Sequence, residues 1–131
     1  MRLYIFVLFV LLFCDCKSQK SKTFLKIRYV NLNTATSGSV SCNEFNLLFN
    51  DRIKTFILSE NSKDFAKIAS ILSHLKIDST NYMPDVRVQL ELVTEGQTSI
   101  YCLSNLGICK NSTAYFLPSK LIVILKRYMK E

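Results

Sequence analysis

The stretch Val86–Val93 (VRVQLELV), followed by Glu95-Gly96 and then Gln97–Leu103, constrains the fold more than any other part of the chain. Val88, Leu90 and Leu92 alternate with Arg87, Gln89 and Glu91, the period of two that gives a strand one apolar and one polar face. Glu95-Gly96 predicts a two-residue hairpin loop, because tight β-turns need backbone conformations that glycine adopts easily. With those two residues as the loop, Leu90 opposes Tyr101 and Val88 opposes Leu103. A hairpin with one apolar face is marginal alone, so the rest of the chain must supply further strands and a covering layer.

The flanking sequence offers both. Thr23–Leu32 predicts a strand, with Leu25, Ile27 and Tyr29 inward and Lys26 and Arg28 outward. Asn33–Val40 is small and polar and reads as a loop. Ser41-x-x-Glu44 is a capping box for a short helix, on which Cys42, Phe45, Leu48 and Phe49 face inward. Arg52–Ser59 predicts a second strand, with Ile53, Thr55 and Ile57 on one side. Asn61-x-x-Asp64 can cap the next helix, where Phe65, Ile68, Ala69, Leu72 and Leu75 form one stripe. Pro84 bars a helix from the loop Asp78–Asp85. After the hairpin, a turn at Ser104–Gly107 leads to a strand over Ile108–Leu117. Pro118 then opens a terminal helix carrying Leu121, Ile122, Leu125, Tyr128 and Met129 on one side. The resulting order is β-α-β-α-β-β-β-α. It predicts an α+β domain, one mainly antiparallel sheet with helices packed on one face.

The first residues carry a different message. Met1–Gln19 (MRLYIFVLFVLLFCDCKSQ) has a single basic residue, Arg2, before an apolar run from Leu3 to Phe13. That run is too short to cross a bilayer, which takes about 20 helical residues. It fits the apolar region of a secretory signal peptide, about 7–15 residues. The segment Phe13-Cys14-Asp15-Cys16-Lys17-Ser18-Gln19 resembles a bacterial lipoprotein signal, and Asp before Cys matches the relaxed processing sites of some Gram-negative lineages. The resemblance implies lipidation at Cys16, with Cys14 as the alternative. The rival reading is ordinary signal cleavage after Cys16. The expected layout is a signal peptide over 1–16, a polar tether over 17–22 and one small domain over 23–131. The expected location is the cell envelope of a bacterium, membrane-anchored on the periplasmic side or at the surface.

Export changes what charge and cysteine mean. The formal charge is +7, with basic residues at Lys17, Lys20, Lys22, Lys26 and Arg28 and again at Lys120, Lys126, Arg127 and Lys130. These suit an anionic membrane surface or simply keep a small domain soluble. Nucleic acid is excluded as a partner by compartment and by the lack of interleaved aromatic and basic residues. Beyond the leader stand Cys42, Cys102 and Cys109, and pairing is expected in an oxidising compartment. With Asn105-Leu106 at the turn, Cys102 opposes Cys109, so the register predicts a Cys102–Cys109 disulfide with Cys42 buried and reduced. It also sets Lys110 against inward-facing Tyr101, which implies a bulge. The alternative is Cys42 bridging the first helix to one of these strands.

The catalytic inventory is thin. His74 is the one histidine, with no cysteine or carboxylate near it except Asp78, so a structural role is expected. The carboxylates are scattered among caps, turns and an exposed strand face. Gly38, Gly96 and Gly107 are too dispersed to cradle a phosphate. Asn111-Ser112-Thr113 matches a glycosylation sequon, but the bacterial leader makes it a polar strand end. Neither metal nor cofactor is expected. The sequence therefore predicts a non-catalytic domain that binds a protein partner through the polar strand face Arg87, Gln89, Glu91, Thr98 and Ile100. The alternative is a small enzyme whose site is assembled from residues far apart in sequence.

Overall fold

The computed structural model describes residues 22–80 and 85–129. Cys14, Cys16, Pro84 and most of the 17–22 tether lie outside them. The elements are β1 (Phe24–Tyr29), α1 (Phe45–Leu48), a 3₁₀ turn (Asn50–Arg52), β2 (Lys54–Ser59), α2 (Lys63–Ser73), β3 (Val88–Thr94), β4 (Gln97–Leu103), β5 (Gly107–Lys110), β6 (Thr113–Phe116) and α3 (Ser119–Lys126). The six strands form one sheet in the order β2-β1-β3-β4-β5-β6, antiparallel at every junction. The α+β class and the antiparallel sheet agree with the sequence reading, and the sheet dominates.

The β3–β4 hairpin has the predicted register, Leu90 opposite Tyr101 and Val88 opposite Leu103. Its turn residues Glu95 and Gly96 both have positive φ, 48° and 79°. The predicted element order needs correction after β4, because Ile108–Leu117 is two strands. Asn111 and Ser112 adopt φ of 49° and 63° and turn the chain back, so Lys110 opposes Thr113 and Ile108 opposes Tyr115. Asn tolerates that left-handed conformation through local hydrogen bonding of its side chain.

Leu25, Ile27 and Tyr29 of β1 meet Val88 and Leu90 of β3, Tyr101 and Leu103 of β4, and Ile108 of β5 in the main core. Phe65, Ile68 and Leu72 of α2 and Leu121, Ile124 and Leu125 of α3 cover that face. Burying each such side chain stabilises by about 1.5–3 kcal/mol. β2 turns Leu58 to the core and leaves Ile57 outward. The cap of α2 is Ser62, whose hydroxyl accepts from the Asp64 amide at 3.2 Å, one residue after the Asn61 expected there.

The expectation of helices on one face also needs correction. α2 and α3 share a face, but α1 lies on the other, where Phe45 and Phe49 join Val30, Val40, Val86 and Cys102 in a second, smaller core. The predicted capping box is present: the Ser41 hydroxyl and amide both donate to Glu44 Oε2, at 2.6 and 3.1 Å. The helix is shorter than its pattern suggested, and Leu48 is exposed rather than inward.

Candidate functional site

The far face of the sheet, opposite α2 and α3, carries the residues expected to bind. α1 and the 33–44 loop roof one half of it, and that roof decides which of them are accessible. Arg87 is 6% exposed. Its Nη1 donates to Asp85 Oδ1 at 2.7 Å and to the Val86 carbonyl at 2.9 Å, and its Nη2 donates to Thr36 Oγ1 at 2.9 Å. The guanidinium also sits over the Phe49 ring, 5.5 Å from the centroid. Asp85 in turn accepts from the Val40 amide at 2.7 Å. Arg87 is thus a tie that holds the roof down, and its assignment to an open binding face is corrected.

Gln89 is corrected in the same way. It is 3% exposed, and its Nε2 donates to Cys102 Sγ at 3.7 Å. Gln89 Oε1 and Arg28 Nε are buried with no hydrogen-bond partner among the described residues. Beyond the roof the face opens. Glu91 accepts from Arg28 Nη2 at 3.0 Å and lies 3.5 Å from Lys26 Nζ, while Arg28 Nη1 reaches Asn46 of α1 at 3.2 Å. Thr98 is exposed, and Ile100 is 42% exposed. The pairings Ile57–Lys26, Lys26–Glu91 and Glu91–Ile100 form one continuous cross-strand row. Its two apolar ends flank an ionic centre.

The cysteines pair differently from the expectation. Cys102 does oppose Cys109 in the β4–β5 register, but the disulfide joins Cys42 to Cys102, with Cα atoms 5.6 Å apart, and Cys109 is a buried free thiol. The reason is the crossing of α1: the chain just before it passes over the far face and brings Cys42 to Cys102. Cys42 and Cys109 both line a small cavity of about 220 Å³ beside it. The β4–β5 pairing ends at Cys102–Cys109, one residue short of Lys110. Its amino group folds over the Tyr101 ring, 4.7 Å from the centroid, and donates to the phenolic oxygen at 3.1 Å, so its charged end stays near solvent.

His74 ends α2, with Nδ1 2.8 Å from the Ser70 carbonyl and 2.9 Å from Ser73 Oγ, a helix-end contact on an exposed residue. Among the described residues no three His, Cys, Asp or Glu side chains converge on a metal site, and no helix is long and apolar enough to cross a membrane. Asp64 is held below the usual carboxylate range, first by the hydrogen bond from the Tyr128 hydroxyl, against an opposing effect of burial that ranks next, with Arg127 and Lys67 adding to the lowering. The same contact pushes the Tyr128 phenol up. Glu44 is held low by its hydrogen bonds from Ser41.

One feature escaped the sequence reading. A cleft of about 690 Å³ at one end of the sheet is bordered by Tyr29, Arg52, Lys54, Asn105, Lys126 and Met129. Arg52, Lys54 and Lys126 bring three cationic side chains to it, and among the described residues its lining holds no carboxylate, histidine or cysteine. The residues come from separate parts of the chain, and no local spacing joins them. Comparison with known proteins adds no assignment: no protein-family model matches the chain, and no curated protein or solved structure matches it.

Proposed function

We propose that the chain is an exported binding domain of a bacterial cell envelope that docks a protein partner and turns over no substrate. Its tether ends at lipidated Cys16, with Cys14 the alternative attachment. The observation that carries the reading is the open row Ile57–Lys26–Glu91–Ile100. Two exposed isoleucines, 58% and 42% accessible, flank a half-buried ion cluster on a rigid sheet face. Apolar contacts around a fixed charge pattern are what a specific interface uses, the apolar part for affinity and the charges for register and partner choice. Lys26, Arg28 and Glu91 are already ordered by one another, so docking costs little side-chain entropy.

The cationic cleft supports an enzyme less well. Its basic side chains suit an anion, but among the described residues its lining has no histidine, cysteine or carboxylate, the groups that most often move a proton or attack a substrate. The test is partner recovery from the native envelope with Ile100→Glu against the unaltered chain. The proposal expects the partner to be lost while the melting temperature is kept. Equal recovery by both proteins contradicts docking through this row.

A further inference from the structure

Three cysteines meet under the roof on the far face, and only two of them can be bonded at once. Cys102 of β4 is fully buried and bonded to Cys42. Cys109 of β5 is buried as a free thiol. It stands directly opposite Cys102 in the β4–β5 ladder. Opposed residues of antiparallel strands share a face and have Cα atoms about 4.5–5.5 Å apart, within disulfide range. Cys42 and Cys109 also line the same cavity of about 220 Å³. Cys102 therefore has two sulfur partners within reach, one on the roof and one across the ladder.

The two pairings act differently on the roof. Cys42–Cys102 fastens the segment before α1 to the sheet. Cys102–Cys109 joins strands that the ladder already holds together and leaves that segment unfastened. The covered row runs Arg28–Gln89–Cys102–Cys109 across four strands. Gln89 Oε1 and Arg28 Nε in that row have no hydrogen-bond partner among the described residues. Buried polar atoms left unpaired favour a conformation in which water reaches them, so the row gains by being uncovered. Arg87 opposes the opening through Asp85, Thr36 and the Phe49 ring.

We propose that Cys42, Cys102 and Cys109 form a disulfide-exchange switch that unfastens the roof, with Arg87 as its latch. The Cys109 thiol gives its proton to water and its sulfur attacks Cys102 Sγ. The Cys109–Cys102 bond forms as the Cys102–Cys42 bond breaks, and the electron pair leaves on Cys42 Sγ, which takes a proton from water. One disulfide and one thiol stand before and after, so the exchange consumes neither oxidant nor reductant. Cys42 is half-buried, and solvent meets its released sulfur. With the latch closed the bond is Cys42–Cys102; exchange follows when Arg87 lets go. The unfastened segment uncovers Gln89, two residues from Glu91 on the same face of β3, and so widens the open row. That last consequence rests on the partner reading, whereas the exchange does not.

The test incubates the full chain under nitrogen with no added thiol or oxidant, quenches it in acid, alkylates it with a maleimide and maps the non-reduced peptides. The unaltered chain is expected to give linked Cys42–Cys102 and alkylated Cys109. Arg87→Ala opens the latch and is expected to give linked Cys102–Cys109 and alkylated Cys42, with a melting transition that stays cooperative. Adding Cys109→Ser to Arg87→Ala is expected to restore linked Cys42–Cys102. Thr36→Val removes one bond of the latch and is read in place of Arg87→Ala if that variant loses its cooperative transition. An opened latch that leaves Cys42–Cys102 linked and Cys109 alkylated overturns the proposal. So does a Cys42–Cys109 peptide as abundant as Cys102–Cys109, which marks random scrambling, or a Cys102–Cys109 peptide equally abundant in the unaltered chain. Partner recovery through Ile100 is measured without these variants, so the two claims fail separately.

Discussion

Cys42 and Cys102 lie 60 residues apart in the chain and are joined with their Cα atoms 5.6 Å apart, which staples the segment before α1 to the C-terminal end of β4. Closing a loop of that length removes conformational freedom from the unfolded chain worth about 4 kcal/mol in the chain-entropy account. Replacing both residues by Ser is expected to lower unfolding free energy by about that amount in urea titration. Non-reducing peptide maps should recover a Cys42–Cys102 linked peptide. A Cys102–Cys109 linked peptide in the unaltered protein contradicts this pairing.

Arg87 gives the second prediction. It is the buried member of a pair whose carboxylate, Asp85, remains 41% exposed, and it also holds Thr36 and covers Phe49. Arg87→Ala removes these contacts together and is expected to cost about 2–3 kcal/mol, less than the loss from a fully buried ion pair because water can still reach Asp85. Lys26→Ala, in the more exposed ion cluster, is expected to cost about 0–1 kcal/mol. Denaturant midpoints of the two variants check the contrast, and equal midpoints contradict it.

These two contacts also mark how far the sequence could be read. The β3–β4 register was legible because Glu95-Gly96 and the alternation from Val88 to Leu92 are local signals, as were the Ser41–Glu44 capping box and the stripe on α2. The Asn111-Ser112 turn was missed because Ile108–Leu117 is apolar enough to pass for one strand, and neither turn residue is glycine. The roof was missed for a deeper reason. Alternation shows that Arg87, Gln89 and Glu91 share a face, but only the long-range crossing of α1 decides that the first two are buried and the third is half open. That same crossing chose the disulfide partner. The cationic cleft had no local signature at all, since Tyr29, Arg52, Asn105 and Lys126 meet only once the sheet and α3 are assembled.

Asp64 and Tyr128 supply a pH prediction. The Tyr128 hydroxyl donates to the Asp64 carboxylate and, with Arg127, holds its pKa below the usual 3.8. A carboxylate with a depressed folded-state pKa stabilises the fold above its unfolded pKa, and that contribution is lost as pH falls through the folded value. Tyr128→Phe is therefore expected to raise the Asp64 pKa toward 3.8 and to lessen the stability lost on acidification below that range. Titration followed by NMR checks the direction, and an unmoved Asp64 pKa contradicts it.

The proposed anchor is tested at Cys16. Several acyl chains, helped by the nearby Lys17, Lys20 and Lys22, give durable attachment where one chain binds only weakly. Cys16→Ser is expected to move the protein from the membrane fraction to the soluble one and to remove the lipid mass from the intact chain. Unchanged fractionation with the lipid mass still present contradicts Cys16 as the site.

The central claim, that the open half of the far face docks a protein, is tested most directly by site-specific photo-cross-linking in the native envelope. A photoreactive residue is placed at Ile100 in one variant. In another it is placed at Val123, which is more exposed than Ile100 but lies on α3, across the sheet. The account predicts one discrete adduct from position 100, lost when Glu91→Lys is added, and none from position 123. Equal labelling from both positions, or no adduct from position 100, contradicts it.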